Sequence, residues 1–413
     1  MTIASLPEPF PGEPEAPRFI ELRGGLGAVP GIRLAGVHAG IKKRKRDLAL
    51  IVFDGPQVCA SVVTTNEIKA APLLVSEEHL AANGERMRAI VCNSGCANAC
   101  TGERGDRDAR ATARQAAALL GFESTEVIVA STGVIGVSLP IDRVAKSLER
   151  AVRDLEDGSD AAYDAAEAIM TTDRVPKLAA CAFHENGTRY VVGGIAKGSG
   201  MIAPSMATML AFLATNAPMS RAALDAALRE ATNATFNMIS IDGDMSTNDA
   251  VYAFAPLVDQ PAPRGFAAAL RTIAHELALA MVRDGEGATK TLTFEVTGAR
   301  DDPQARAIAR AVVNSNLVRT ALYGEDPNWG RIVAAAGSAR AGLDPKRWSL
   351  FLGEALWVDR DAIEILSEAE AHRGLEGTDV RVRLDLALGD ARATAWGCDL
   401  SRDYVRINAS YRT

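Results

Sequence analysis

Three short runs of this chain are almost wholly apolar: Leu48 to Phe53, Ala89 to Cys92 and Val127 to Ala130. Runs this brief, rich in Val and Ile, fit well-buried strands and are too short for helices. Between the second and third lies an alanine-rich stretch that ends near Gly121, a glycine placed to cap a helix. After Pro140, residues Ile141, Val144, Leu148, Val152 and Leu155 recur at helical spacing, and Leu270, Ile273, Leu277 and Met281 do so again. Val380, Val382, Leu384, Leu386 and Leu388 alternate with mostly polar residues, the pattern of a half-buried strand. The reading is a mixed α and β chain with no internal repeat, low-complexity block or obvious interdomain linker.

With 413 residues the chain can bury a large core, as two domains or one elaborate one. An apolar fraction of 48% and a charged fraction of 23% are ordinary for a soluble globular protein. A net charge of -7 and a pI near 5.5 argue against a nucleic-acid binder, which carries a basic stripe. The one basic run, Lys42 to Arg46, reads as a solvated turn before a strand. Met1 to Pro17 holds three glutamates and five prolines, which fits a frayed tail over residues 1–19 of a cytoplasmic protein and not a signal peptide. No apolar stretch reaches the ~20 residues of a membrane helix. The best candidate, Met201 to Ala217, is broken by Pro204, Ser205, Thr208 and Thr215, and reads as buried. Cys92, Cys96 and Cys100 have a spacing that zinc sites use, but no nearby cysteine or histidine pair completes four ligands. Small buried thiols in a reducing compartment, with neither metal nor disulfide, are the expectation.

One segment stands apart. From Val191 to Leu210 an apolar strand ends in a glycine-rich loop, Gly193-Gly194-Ile195-Ala196-Lys197-Gly198-Ser199-Gly200, and a strongly apolar stretch follows. Glycines let backbone N–H groups approach a negative charge, and the single lysine adds a compact cation. The spacing is not that of a P-loop, because no Gly-Lys-Ser/Thr follows a glycine five residues earlier.

The run Lys197-Gly198-Ser199-Gly200-Met201-Ile202-Ala203-Pro204-Ser205-Met206-Ala207-Thr208-Met209-Leu210 resembles the cleavage segment of the ornithine acetyltransferase family of arginine biosynthesis. Further similar motifs run almost end to end. They include Asn93 to Gly102, Ser131-Thr132-Gly133-Val134-Ile135-Gly136, Met170-Thr171-Thr172-Asp173, Ile241 to Asp249, Asp284 to Lys290, Gly324 to Arg331 and Tyr404 to Thr413. The resemblance covers roughly residues 20–413. Two positions depart from it: Cys96, where asparagine is expected, and Arg174, where a small or hydroxyl residue is usual.

The resemblance implies an N-terminal-nucleophile-like α/β fold with sheets sandwiched by helices. It implies self-cleavage at Ala207-Thr208 into an α chain, 1–207, and a β chain, 208–413, intertwined and paired as two α and two β chains. Thr208 would then be an N-terminal nucleophile whose own amine, with an ordinary pKa of about 7.7–8.0, serves as its base. By the same resemblance the Thr132 side chain and the Gly133 N–H form the oxyanion hole. Thr171 or Thr172, Lys197, Thr208, Glu286, Asn408 and Thr413 meet substrate. The reaction implied moves acetyl from N-acetylornithine to glutamate, with acetyl-CoA a second donor in some members, and with no cofactor, metal, nucleic acid or membrane. The alternative is an N-terminal-threonine amidohydrolase or aminopeptidase that passes the acyl group to water. Asp244 and Asp249 look like ligands of some kind, but Asp-Gly-Asp is also ordinary turn chemistry, and both are left outside this set.

Overall fold

The computed structural model describes residues 19–202, 209–361 and 363–410. The Leu48 to Phe53 run opens a strand of 16 residues, Leu48–Val63. Its first half pairs antiparallel with Ile32–Val37 on one side and Met87–Cys96 on the other, and its second half pairs with Ala250–Pro256. Among the described residues nine strands build this sheet. The order is Ile20–Leu22, Lys177–Glu185, Thr188–Lys197, Leu210–Thr215, Ala250–Pro256, Leu48–Val63, Met87–Cys96, Val127–Val134, with Ile32–Val37 beside Leu48–Val63. Leu210–Thr215 runs parallel to Ala250–Pro256, and Met87–Cys96 runs parallel to Val127–Val134.

Both faces of the sheet are covered, which is why its central strands lack polar alternation. Leu48, Leu50 and Val52 pack with Ala109, Ala113 and Ala116 of helix Gly102–Leu120 and with Val144 and Leu148 of helix Ile141–Arg153. Ala49, Ile51 and Phe53 point the other way, toward Ala162, Ala165 and Ile169 of helix Gly158–Ile169. That helix lies close because Gly36 has no side chain: a Cβ there would collide with the Asp164 carbonyl. Truncating Leu50, which is wholly buried, to alanine would cost about 2–5 kcal/mol.

The chain divides into two compact units. The first holds this sheet and comprises the described residues within Met1–Gly198, Thr208–Phe236 and Met245–Ala278. The second comprises those within Ser199–Ala207, Asn237–Asp244 and Leu279–Thr413. Its six strands run Ala355–Val358, Ser349–Leu352, Asp379–Asp385, Thr291–Ala299, Ala391–Cys398, Ile239–Ser240. Helix Asp302–Val313, capped by the Asp301 carboxylate on the Gln304 N–H, lays Ala305, Ile308, Ala309 and Val312 on that sheet's core.

The expected α/β class and elements are present. Helix Gly102–Leu120 ends at Gly121 in left-handed backbone (φ 74°), and helices Ile141–Arg153 and Phe266–Arg283 fall where the periodicity put them, except that Leu155 lies past the end of the first. In Asp379–Asp385 the buried positions are Val380, Val382 and Leu384, while Leu388 lies past the strand's end. The basic run differs from its reading at both ends. Lys43, Arg44 and Lys45 are exposed, but Arg46 pairs with Asp164 and Glu167, and Lys42 donates to the Met170 carbonyl at 3.0 Å. Two charges of the turn thus bind helix Gly158–Ile169 to the sheet, through partners more than a hundred residues away. The Met1 to Pro17 reading falls outside the described residues.

Candidate active site

Ala207, Thr208 and Thr413 lie outside the described residues. The backbone that follows Thr208 is well fixed. The Met209 N–H donates to Asp249 Oδ1 at 2.8 Å, its carbonyl accepts the Ala250 N–H at 3.1 Å, and Leu210 stands in register with both Lys197 and Ala250. Asp249 is fully buried, and burial pushes its carboxyl well up despite the Met209 N–H and the charge of Lys197.

Lys197 closes strand Thr188–Lys197 and is 2% exposed. Its ammonium donates to the Thr132 hydroxyl at 3.3 Å. Burial lowers its pKa, against the opposing charges of Asp173 and Asp249. Asp173 is the counterweight. It accepts from Lys177 at 2.7 Å, from the Gly198 N–H at 2.7 Å and from the Thr171 N–H at 2.9 Å. Burial alone would raise its carboxyl, but Lys197 and Lys177 hold it well below the usual carboxylate range. One buried anion thereby fixes the Thr171–Asp173 turn, the start of strand Lys177–Glu185 and the end of strand Thr188–Lys197. Thr171 and Thr172 are both half-buried on that turn.

Thr132 and Gly133 sit near the end of strand Val127–Val134, where the register against Met87–Cys96 shifts at Gly95 and Cys96. Such a break frees backbone groups from the regular ladder. Gly133 has φ 130°, and a Cβ there would strike the Gly95 and Cys96 backbone, so no other residue fits. The strand end is steadied by Asn248, whose amide donates to the Ser131 carbonyl at 2.8 Å and the Ala97 carbonyl at 2.7 Å. Thr132 accepts from Lys197 with a lone pair, which leaves its own O–H proton to donate elsewhere.

In the second unit Glu286 and Asn408 meet directly: Asn408 Nδ2 donates to Glu286 Oε2 at 2.6 Å. The Glu286 N–H donates to the Ser199 carbonyl at 2.7 Å, and a Cβ on Gly200 would touch the Glu286 carboxylate at 2.5 Å. A largely buried carboxylate held by an amide and packed on a bare glycine can receive a cation of defined position.

The sequence-derived set thus gathers in two places: Thr132, Gly133, Lys197 and the Thr171–Thr172 turn in the first unit, Glu286 and Asn408 in the second. Sequence reasoning passed over Asp173 and Asn248 and set Asp249 aside as turn chemistry. A usable signal was there for Asp249, a carboxylate directly before the apolar strand Ala250–Pro256, where an unpartnered charge would be costly. Cys96, one of the two departures, is buried, and its thiol donates to the Val137 carbonyl at 3.2 Å, so it packs and supports a turn. Arg174 is exposed.

The first unit thus offers a hydroxyl beside a buried ammonium at a strand end where the ladder breaks, and the second offers a largely buried carboxylate held by an amide. The sequence profile of the ArgJ family matches residues 33–413. The chain belongs to the ArgJ family. All the ArgJ-like positions discussed above, from Thr132 to Thr413, fall within the matched span. The arginine biosynthesis bifunctional protein ArgJ of Symbiobacterium thermophilum is 48% identical over 403 residues, covering 95% of this chain and 99% of its own. That of Geobacter sulfurreducens is 46% identical over 397 residues, covering 93% and 100%. Among solved structures, the ornithine acetyltransferase of Mycobacterium tuberculosis complexed with ornithine is 44% identical, covering 46% of this chain and 99% of its own, with a TM-score of 0.43. The ArgJ of Bacillus halodurans is 38% identical, covering 47% and 100%, with a TM-score of 0.45.

Proposed function

We infer that this chain is an acetyltransferase of arginine biosynthesis, carrying the acetyl group of N-acetylornithine to glutamate. Family membership over nearly the whole chain supports the reaction. The observation that carries the mechanism is the buried Lys197 ammonium on the Thr132 hydroxyl, at the strand end in register with Leu210.

In the proposed sequence the Thr208 hydroxyl attacks the Ala207 carbonyl, the amide nitrogen leaves as the amine of Thr208, and water opens the resulting ester. The freed amine then takes the proton of the Thr208 hydroxyl as it attacks the acetyl carbonyl of N-acetylornithine. The oxyanion is held by the Thr132 O–H, polarised by Lys197, and by the Gly133 N–H. Ornithine departs with the proton, and an acetyl-threonine ester remains. Glutamate attacks that ester through its amine and releases Thr208. Glu286, held by Asn408, receives the cationic amine of the ornithine side chain. Lys197, the Thr171–Thr172 turn and Thr413 complete the substrate contacts. The bifunctional name of the relatives supports acetyl-CoA as a second donor to glutamate. Assembly as two α and two β chains in the cytoplasm belongs to the same reading; no described helix is long and apolar enough to cross a membrane.

Intact-mass measurement of the purified protein beside Thr208→Ala tests the first half of the mechanism. Two pieces split before Thr208, against one chain in the variant, are expected; a single chain in both would overturn it. A glutamate-dependence assay tests the second half. N-acetylglutamate should appear in step with ornithine, whereas release of free acetate at the same rate without glutamate would mark a hydrolase.

A further inference from the structure

The Ala39 to Lys42 loop has no part in the chemistry described so far, yet it is held as firmly as the site itself. Asp47, wholly buried, accepts the N–H groups of Ala39, Ile41 and Lys42, the last two at 2.7 Å each. Its own N–H donates to the Val37 carbonyl and its carbonyl accepts the Ser94 N–H, both at 2.9 Å. Gly40, with φ 77°, makes the bend that lets these N–H groups converge on one carboxylate. The loop is thereby stapled to strands Ile32–Val37 and Met87–Cys96, and Lys42 leaves it in a fixed direction. Its stem lies against Gly95, where a Cβ would come within 2.9 Å of Lys42 Cγ, and Gly95 in turn abuts Gly133.

What Lys42 reaches is the peptide group between Met170 and Thr171. Its ammonium donates to the Met170 carbonyl at 3.0 Å, and the Thr171 N–H of the same planar group donates to Asp173 Oδ2 at 2.9 Å. A cation on the oxygen and an anion on the N–H grip that plane from opposite ends, with charge-assisted bonds roughly twice as strong as neutral ones. Capping of helix Gly158–Ile169 alone does not call for this. Met170 is already extended (ψ 152°) with its N–H returned to the Glu167 carbonyl, and the Ala168 carbonyl is taken by the neutral Ser94 hydroxyl at 2.6 Å. The ammonium is also a costly choice. Burial lowers its pKa to about 8, outweighing the charges of Asp47, Glu167 and Asp173, and Lys45 adds to the lowering.

We propose that Lys42 is a positioning residue for substrate binding, fixing through the Met170 carbonyl the peptide from which the Thr171–Thr172 turn begins. This rests on the reading that Thr171 or Thr172 meets N-acetylornithine. In this role the ammonium transfers no proton; it keeps the turn in the one arrangement that receives substrate. Without it the peptide spends part of its time in other orientations, and the apparent affinity falls in proportion to the competent fraction lost.

The test is steady-state kinetics on the full-length protein, with N-acetylornithine varied, glutamate in excess and turnover expressed per mole of cut chain. Five chains are compared: wild type, Lys42→Met, Lys42→Arg, Thr171→Ala and Thr172→Ala. Lys42→Met keeps the stem against Gly95 and sheds a half-buried charge, so the fold should survive it. Its KM for N-acetylornithine should rise at least about fivefold with kcat within about threefold, since a charge-assisted bond favours one arrangement by roughly tenfold or more. Lys42→Arg retains a cationic donor and should hold KM within about threefold of wild type. At least one threonine variant should raise KM as well. If a threonine variant raises KM while Lys42→Met leaves it unmoved, or if Lys42→Arg is as impaired as Lys42→Met, the proposal is wrong. A raised KM in Lys42→Met with both threonine variants at the wild-type value would show that Lys42 acts by another route, and would equally overturn it. If neither threonine variant nor Lys42→Met moves KM, the underlying reading of the turn has failed, and the threonine pair tells that failure from the others.

Discussion

Thr132→Val is the substitution on which the mechanism most depends. Valine has nearly the shape of threonine, and Thr132 is 3% exposed, so the strand end should keep its packing. What disappears is a hydroxyl whose lone pair already binds the Lys197 ammonium and whose proton is, in the proposed mechanism, left to face the developing oxyanion. Removing one such donor costs about 2.7–4 kcal/mol, a fall of roughly a hundredfold to a thousandfold in kcat. Because the charge forms only in the transition state, KM for N-acetylornithine should move no more than about threefold. The proposed self-cleavage would pass through a similar intermediate, so turnover must be expressed per mole of cut chain, counted by intact mass. The assay follows ornithine release with glutamate in excess, beside Thr132→Ser, which retains the hydroxyl and should stay within about tenfold of wild type. A Thr132→Val enzyme with kcat within fivefold of wild type would refute the assignment of this hydroxyl to the oxyanion hole.

Glu286→Gln removes the charge that the proposed mechanism offers to the ornithine side chain while keeping an acceptor for Asn408. The KM for N-acetylornithine should rise about tenfold to hundredfold with kcat little changed, and steady-state kinetics showing an unmoved KM would remove Glu286 from the site. Asp173→Asn, placed in the uncut Thr208→Ala chain, strands two buried lysines and should lower stability by roughly 3–5 kcal/mol in urea unfolding. Because the folded Asp173 carboxyl lies below its ordinary 3.8, its ionised form stabilises the fold above that pH, and the gain is lost as pH falls through the lowered value. Asp173→Asn should flatten that acid-side slope. Lys42 behaves oppositely: burial lowers its pKa from 10.5 to about 8, so the folded state disfavours its charge. That cost is complete below about 8 and fades as pH rises toward 10.5. Relative to Lys42→Met, wild type should therefore gain thermal stability between pH 7 and pH 10, and a constant difference in melting temperature would contradict it.

The elements that could be read from the sequence are those whose burial is complete or strictly one-sided. Leu48 to Phe53 betrays a strand covered on both faces, and Val380, Val382 and Leu384 betray one covered on a single face, because each periodicity reflects its immediate surroundings. The site divides along the same line. Thr132, Gly133, Lys197, Glu286 and Asn408 came from literal motif resemblance, and the charges that organise them did not. Asp173 acts on Gly198 25 residues away, Asp249 on Met209 40 residues away, and Asn248 on Ser131 117 residues away. Locally each looks like a polar residue in an ordinary turn; only the fold reveals that a buried N–H or carbonyl awaits it. Lys42 and Arg46 escaped for the same reason, since nothing in a run of five basic residues says which two will find partners. The choice between Thr171 and Thr172 stays open because the two are adjacent on one half-buried turn.

The position of strand Leu210–Thr215 bears on how such a chain could live as two pieces. It lies inside the sheet, with Thr188–Lys197 on one side and Ala250–Pro256 on the other, and Ala250–Pro256 is itself backed by Leu48–Val63. A nick between 207 and 208 would thus leave the later strands clasped between two earlier ones, sealed by main-chain hydrogen bonds on both flanks. Made alone, the later piece would carry a two-stranded ribbon with both edges bare, a species prone to aggregate before it could fold. If the chain is cut as proposed, the topology sets the order of events: it is threaded whole first, and two gene fragments expressed apart should not reconstitute what one nicked chain retains.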